Sequence, residues 1–277
     1  MEKIGILYIC TGPYKVFWED FYKTAEEYFL KDFEKHYYIF TDDLAHFDFV
    51  DKKYVHLKYI ENLPWPLITL FRFRYFLSIK TELENMDYLM FSNSNMKFAN
   101  VVTKDEFLPR KEQNEDIFVT VHPGYINSKN YDKPFDRSKT SLASVPYNCN
   151  APYVIGAMNG GTSKAFLKMA EELNNRTVED LKHNVIAKWH DESHLNKYVS
   201  THNNCRVLSP SFCYPCGFEL PYEKKIFAVS KESKFNIRNF KGTDVVVKNS
   251  RLKLKLSRLK MKLRVLKSCL FREKNVY

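Results

Sequence analysis

The sequence predicts an α/β fold with a mostly parallel central sheet. Strand-like and helix-like segments alternate through its first third, and a polar stretch directly follows one of the apolar strands. Alternation of this kind is typical of layered folds in which helices cover a parallel sheet. With 277 residues, 44% of them hydrophobic, the chain is long enough to bury a sizeable core.

The individual elements follow from the spacing of the apolar residues. Apolar runs predict strands at residues 4–10, 37–41, 54–59 and 88–92, and helical spacing predicts helices at residues 17–33, 67–83 and 163–173. In sheets of this kind, ligands bind beyond the carboxyl ends of the strands. Asn93 and Asn95 directly follow the strand at 88–92, so this edge of the sheet is the predicted site.

The formal charge of +10 is concentrated at the C-terminus. Residues 251–277 contain ten Lys or Arg and one acidic residue, and leucines recur there at spacings of four and three. This pattern predicts a basic amphipathic helix that binds an anionic membrane surface. A helix that packs on the domain or pairs with another chain is an alternative. Nucleic-acid binding is disfavoured, because residues 1–250 are nearly neutral.

Two regions are therefore predicted: a globular domain at residues 1–246 and a basic tail at residues 247–277. No run of eighteen apolar residues occurs and the N-terminus lacks a signal-peptide pattern, so we expect a cytoplasmic protein without a membrane span. The cysteines are expected to be reduced. Cys213 and Cys216 form a CxxC, but no second pair accompanies them, so a zinc site is not expected.

The run WHDESHLN at residues 189–196 contains two acids and two imidazoles around a predicted helix start. Asp191 is the predicted N-cap, and Glu192 falls in the first turn, where its charge meets exposed backbone N–H groups. A capped helix with a solvated acidic first turn is one interpretation. A zinc-protease helix is disfavoured, because Asp191 separates the glutamate from His190.

This run, with KY and then VLSP after it, resembles a motif of glycosyltransferase family 6, which includes the blood-group A and B transferases and the α-1,3-galactosyltransferases. Three further stretches resemble that family in the same order: KTAEEYFLKDFEKHYYIFTDD at residues 23–43, TVHPGY at 120–125 and IGAMNGGT at 155–162. The resemblance implies a GT-A fold and a nucleotide-sugar donor. Animal members carry a membrane anchor before the catalytic domain, so we expect a chain that starts with its catalytic domain, as in bacterial members.

The resemblance also implies a role for individual residues. Glu192 matches the catalytic glutamate, which either forms a covalent glycosyl intermediate or stabilises an oxocarbenium-like state. His122 and Trp189 match contacts to the galactose of the acceptor. The implied donor-binding residues are Asp191 at the sugar hydroxyls, Arg72 and Lys231 at the diphosphate, and Tyr14 at the uridine.

The chain departs from the family at the metal-binding DxD motif, where it carries Asn93 and Asn95. A divalent cation requires anionic oxygen ligands, which neutral amides do not supply. Asparagine side chains can instead donate hydrogen bonds to phosphate or sugar oxygens. We therefore expect a metal-independent enzyme with no cofactor, in which fixed cations offset the charge of the leaving UDP.

Ile155 and Ala157 match the two family positions that distinguish galactose from N-acetylgalactosamine. The pair does not decide between the sugars, but metal-free bacterial relatives favour UDP-GalNAc over UDP-galactose. The expected activity is retaining α-1,3 transfer of N-acetylgalactosamine to a galactose-ended, fucosylated acceptor. A non-catalytic glycan-binding relic, tethered to a membrane by its tail, is the alternative from another functional class.

Overall fold

The computed structural model describes residues 1–47, 51 and 53–236. Met1–Lys234 form one compact unit. In this described part, no helix is both long and apolar enough to cross a membrane. The strands in chain order are β1 (Lys3–Ile9), β2 (Glu34–Thr41), β3 (Val55–Tyr59), β4 (Tyr88–Asn93), β5 (Met96–Phe98), β6 (Ile117–Val121), β7 (Val154–Thr162), β8 (Cys205–Leu208) and β9 (Ile226–Ala228).

Seven of these strands form one sheet in the order β3-β2-β1-β4-β7-β6-β8. Strand β7 is antiparallel to both of its neighbours, while the remaining pairs are parallel. The start of β7 therefore lies at the same edge of the sheet as the ends of β1, β4 and β6. This arrangement confirms the predicted mostly parallel sheet, and β5 and β9 pair separately.

Helices cover both faces of the large sheet. On one face, Ile6 and Tyr8 of β1 pack with Trp18 and Phe21. On the other, Leu7 belongs to a second buried cluster that includes side chains from several helices. The helices are α1 (Trp18–Tyr28), α2 (Leu67–Leu70), α3 (Arg72–Leu77), α4 (Lys80–Leu83), α5 (Lys104–Phe107), α6 (Ser163–Lys182) and α7 (Asp191–Thr201).

Three predicted helices have different bounds in the structure. The helix at 17–33 ends at Tyr28, and Phe29 instead pairs with Val102 in a β-bridge. The helix at 67–83 is divided into α2, α3 and α4, because its many aromatic and β-branched residues have only modest helix propensity and packing decides their conformation. Helix α6 extends past residue 173, where buried polar residues such as Thr177 and Asp180 obscure the apolar spacing.

The predicted boundary at residue 246 and the basic tail at 247–277 lie outside the described residues. The amphipathic helix at 251–277 therefore stays a prediction from the sequence.

Candidate active site

A cavity of about 300 Å³ lies at the sheet edge where β4 and β6 end and β7 begins. It brings together eight of the eleven site residues predicted from the sequence. These are Arg72, Asn93, His122, Ile155, Ala157, Trp189, Asp191 and Glu192. Trp65, Thr69, Gly156 and His190 complete its lining.

Arg72 and Asp191 form a buried ion pair in this cavity. Arg72 Nη1 donates to Asp191 Oδ2 and also to the carbonyl oxygen of Gly156, at 2.8 Å. The guanidinium group lies 4.0 Å from the centroid of the Phe91 ring, and its Nη2 is 3.5 Å from Asn93 Oδ1. Burial raises the pKa of Asp191 to about 6, although the positive charge of Arg72 opposes that rise.

The carboxylate of Glu192 accepts a hydrogen bond on each of its oxygens. The hydroxyl of Tyr153 donates to Oε1 at 2.6 Å, and the backbone N–H of Gly156 donates to Oε2 at 2.8 Å. Burial raises the pKa of Glu192, and both hydrogen bonds work against that rise because they stabilise the charged form. A Cβ at position 156 would lie 3.1 Å from Glu192 Cβ, so glycine permits this close approach.

Asn196 attaches helix α7 to the start of β7 by side-chain hydrogen bonds. The Oδ1 of Asn196 accepts from Val154 N at 2.9 Å, and its Nδ2 donates to Val154 O at 2.8 Å and to Glu192 O at 2.9 Å. The prediction that Asp191 is the N-cap is wrong. His190 occupies that position with a φ of 55°, and Asp191 is the first helical residue, its carboxylate engaged by Arg72.

Trp189 and His122, the predicted acceptor contacts, line the same cavity. Trp189 is 46% exposed, and its Nε1 donates to Pro134 O at 3.0 Å, which fixes the orientation of the indole. His122 Nδ1 accepts from Gly124 N at 3.1 Å. Burial lowers the pKa of His122, which favours a neutral imidazole at neutral pH. A cavity that offers an exposed indole and a hydrogen-bonding imidazole is suited to a sugar.

The three remaining predicted residues lie outside the lining of this cavity. Tyr14 is in a 3₁₀ turn after β1, and Lys231 Nζ lies 5.2 Å from the centroid of its ring. Asn95 Nδ2 donates to Val229 O at 2.8 Å, while Val229 N donates back to Asn95 O at 2.7 Å. Asn95 therefore fastens the segment that carries Lys231 to the loop after β4.

Cys213 is buried and Cys216 is exposed, and both are free thiols. Within the described residues, no group of three or more His, Cys, Asp or Glu side chains is close enough to hold a metal ion.

The family model of glycosyltransferase family 6 matches residues 2–239. The chain belongs to this family. It is 36% identical to the O-antigen biosynthesis glycosyltransferase WbnI of Escherichia coli over 232 residues, which cover 83% of this chain and 95% of that protein. This membership confirms the family expected from the motifs, and the α/β architecture is consistent with the GT-A fold.

Animal members are also similar. Identity is 30% to the histo-blood group ABO system transferase 2 of Rattus norvegicus and 28% to the globoside alpha-1,3-N-acetylgalactosaminyltransferase 1 of Gallus gallus, each over 76% of this chain. The chain spans 63% and 61% of those two proteins. This family-6 protein is therefore a glycosyltransferase.

Three residues that shape the site were not predicted as site residues. Gly156 and Asn196 lie inside motifs that were recognised, yet no sequence pattern shows which side chain or peptide group they bind. Tyr153 lies two residues before the IGAMNGGT stretch at 155–162, and no pattern distinguishes it from the other tyrosines. Their roles depend on the contact between β7 and α7, which only the three-dimensional structure gives.

Proposed function

We propose that this glycosyltransferase moves N-acetylgalactosamine from UDP-GalNAc, with retention and in α-1,3 linkage, to a galactose-ended, fucosylated acceptor. The observation that carries the proposal is the arrangement of the cavity. The partly buried carboxylate of Glu192, the Arg72–Asp191 ion pair and the exposed indole of Trp189 all line this cavity. These groups suit a reacting centre, a donor sugar and an acceptor sugar, respectively.

The choice of donor is supported by a small residue at the cavity wall. Ala157 has little side-chain volume, which leaves room for an acetamido group. Two of the relatives are named for the transfer of N-acetylgalactosamine or of blood-group sugars. UDP-galactose remains the competing donor, because Ala157 also suits the smaller sugar.

The reaction is proposed to need no metal ion. At the place of the acidic metal motif, Asn93 lies beside the guanidinium of Arg72, and the amide of Asn95 is used to hold Val229. A dication requires anionic oxygen ligands, and a neighbouring cation repels it. Arg72 and Lys231 supply positive charge for the leaving diphosphate in its place.

The basic tail is proposed to hold the enzyme at the inner face of a cell membrane. Residues 251–277 combine a leucine stripe with a strong excess of Lys and Arg, the composition of helices that lie on anionic lipid. Nucleic acid is not proposed as a partner, because the domain itself is nearly neutral.

The decisive experiment is a screen of UDP-GalNAc and UDP-galactose against a fucosylated galactoside and its unfucosylated counterpart, each with and without excess EDTA. UDP release and the linkage of the product are measured. Transfer of N-acetylgalactosamine at the same rate in chelator is expected. Preference for UDP-galactose, or loss of the rate in EDTA, would refute the donor or the metal part of the proposal separately.

A further inference from the structure

Tyr153 is a buried residue that belongs to no recognised motif yet contacts the central carboxylate. Its hydroxyl donates to Glu192 Oε1 at 2.6 Å, within the short range of hydrogen bonds between a hydroxyl and a carboxylate. Because Gly156 N occupies the other oxygen, both ends of the carboxylate are fixed before substrate arrives. We propose that Tyr153 is a positioning residue that keeps Glu192 oriented and ionised for transfer.

Three aromatic rings pack around the ring of Tyr153 and fix the direction in which its hydroxyl points. Its centroid lies 5.2 Å from that of Phe135, 5.3 Å from that of Tyr125 and 5.7 Å from that of His122. The backbone is fixed as well, since its carbonyl accepts from His122 N at 2.8 Å. Tyr153 therefore contacts both His122, a predicted acceptor residue, and Glu192.

The charge state of Glu192 is the second part of the inference. Burial raises the pKa of Glu192, and the hydrogen bond from Tyr153 opposes that rise. Removal of the hydroxyl should therefore move the ionisation of Glu192 to higher pH. The charged or titratable groups that face Glu192 are Arg72 of α3, Asp191 of α7, Tyr153 and the Cys213 thiol, with His122 and His190 lining the same cavity.

A matched control exists at a distance from the cavity. Tyr37 on β2 is also buried, and its hydroxyl donates to a carboxylate oxygen of Glu26 at the same 2.6 Å. Tyr37→Phe thus removes an equivalent hydrogen bond without touching Glu192. Any effect that Tyr153→Phe shows and Tyr37→Phe lacks is therefore due to the loss of the hydrogen bond to Glu192.

The inference rests on the role of Glu192 in the proposed reaction, but its first test needs no substrate. In protein labelled with ¹³C at the glutamate side-chain carboxyl, the Glu192 signal is identified by its loss in Glu192→Gln. Tyr153→Phe should raise the titration midpoint of Glu192 by about one to two pH units, the worth of one hydrogen bond to a charged group. Tyr37→Phe should leave the midpoint unchanged, and an unchanged midpoint in Tyr153→Phe would overturn the inference.

Two further measurements complete the test. With the active donor, Tyr153→Phe should lower kcat on the order of tenfold to hundredfold, with little change in donor KM, because the carboxylate is misplaced. Replacement of Tyr153 by 3-fluorotyrosine, whose more acidic hydroxyl donates more strongly, should lower the midpoint even if the phenylalanine variant folds poorly. A midpoint shift without transfer from any donor would refute the proposed function and leave the role of Tyr153 standing.

Discussion

Replacement of Glu192 by glutamine is the sharpest test of the proposed mechanism, because it removes the charge of this side chain and keeps its shape. Gly156 N can still donate to the glutamine oxygen. The amide nitrogen can then donate to the hydroxyl of Tyr153, which accepts as readily as it donates. We therefore expect a folded protein whose melting temperature is close to that of the unchanged enzyme.

The loss of charge should have a large effect on turnover. A unit charge about 4 Å from the positive charge at the anomeric carbon, at an effective dielectric of about 20, is worth about 4 kcal/mol. That energy corresponds to about three orders of magnitude in rate. Glu192→Gln should thus lower kcat by roughly two to four orders of magnitude, with a much smaller change in the Kd of the donor.

The assay is initial-rate release of UDP, with donor binding measured separately by calorimetry. Glu26→Gln is the matched control, because Glu26 also accepts from a buried tyrosine but lies away from the cavity; it should leave kcat unchanged. Lys231→Ala provides a contrast, since loss of a diphosphate contact should weaken UDP binding as well as turnover. Near-normal kcat in Glu192→Gln would remove Glu192 from the chemistry.

Three other predictions test the metal, the tail and the pH dependence. Restoring Asp at both Asn93 and Asn95 should, in chelator, weaken UDP-GalNAc binding on the order of tenfold through charge repulsion; unchanged calorimetric affinity would contradict this. The full chain should sediment with anionic liposomes in a salt-sensitive way, whereas a chain truncated after residue 246 should not, yet should keep its activity on a soluble acceptor. Donor affinity should fall as pH drops through about 6, because a protonated Asp191 accepts hydrogen bonds from the donor-sugar hydroxyls more weakly than the carboxylate does; a Kd that is constant above and below this pH would argue against Asp191 as a donor contact.

The sheet and the location of the site were predictable from the sequence because both depend on local signals. Buried parallel strands give continuous apolar runs, and the polar residues after β4 mark the edge where ligands bind. The antiparallel orientation of β7 was not predictable. It depends on how the segment between β6 and β7 returns to the sheet, and no residue pattern within β7 encodes its direction.

Site residues were predictable where a motif names them, and their partners were not. The motif that contains Asp191 predicts a donor contact, but not its ion pair with Arg72, which joins residues 119 positions apart in the chain. For Asn95, the motif predicts a donor contact but not the contact that the structure shows. Its side-chain amide donates to the carbonyl oxygen of Val229.

The backbone of Gly156 links Glu192 to Arg72 through two adjacent peptides. Its N–H, in the peptide shared with Ile155, donates to Glu192, and its carbonyl, in the peptide shared with Ala157, accepts from Arg72. Ile155 and Ala157, the residues that face the donor-specificity question, therefore each belong to one of the two peptides that hold the central carboxylate and the buried cation. A substitution at Ile155 or Ala157 that rotates its peptide should displace Glu192 or Arg72. For this reason we expect changes made to alter the donor sugar to alter kcat as well.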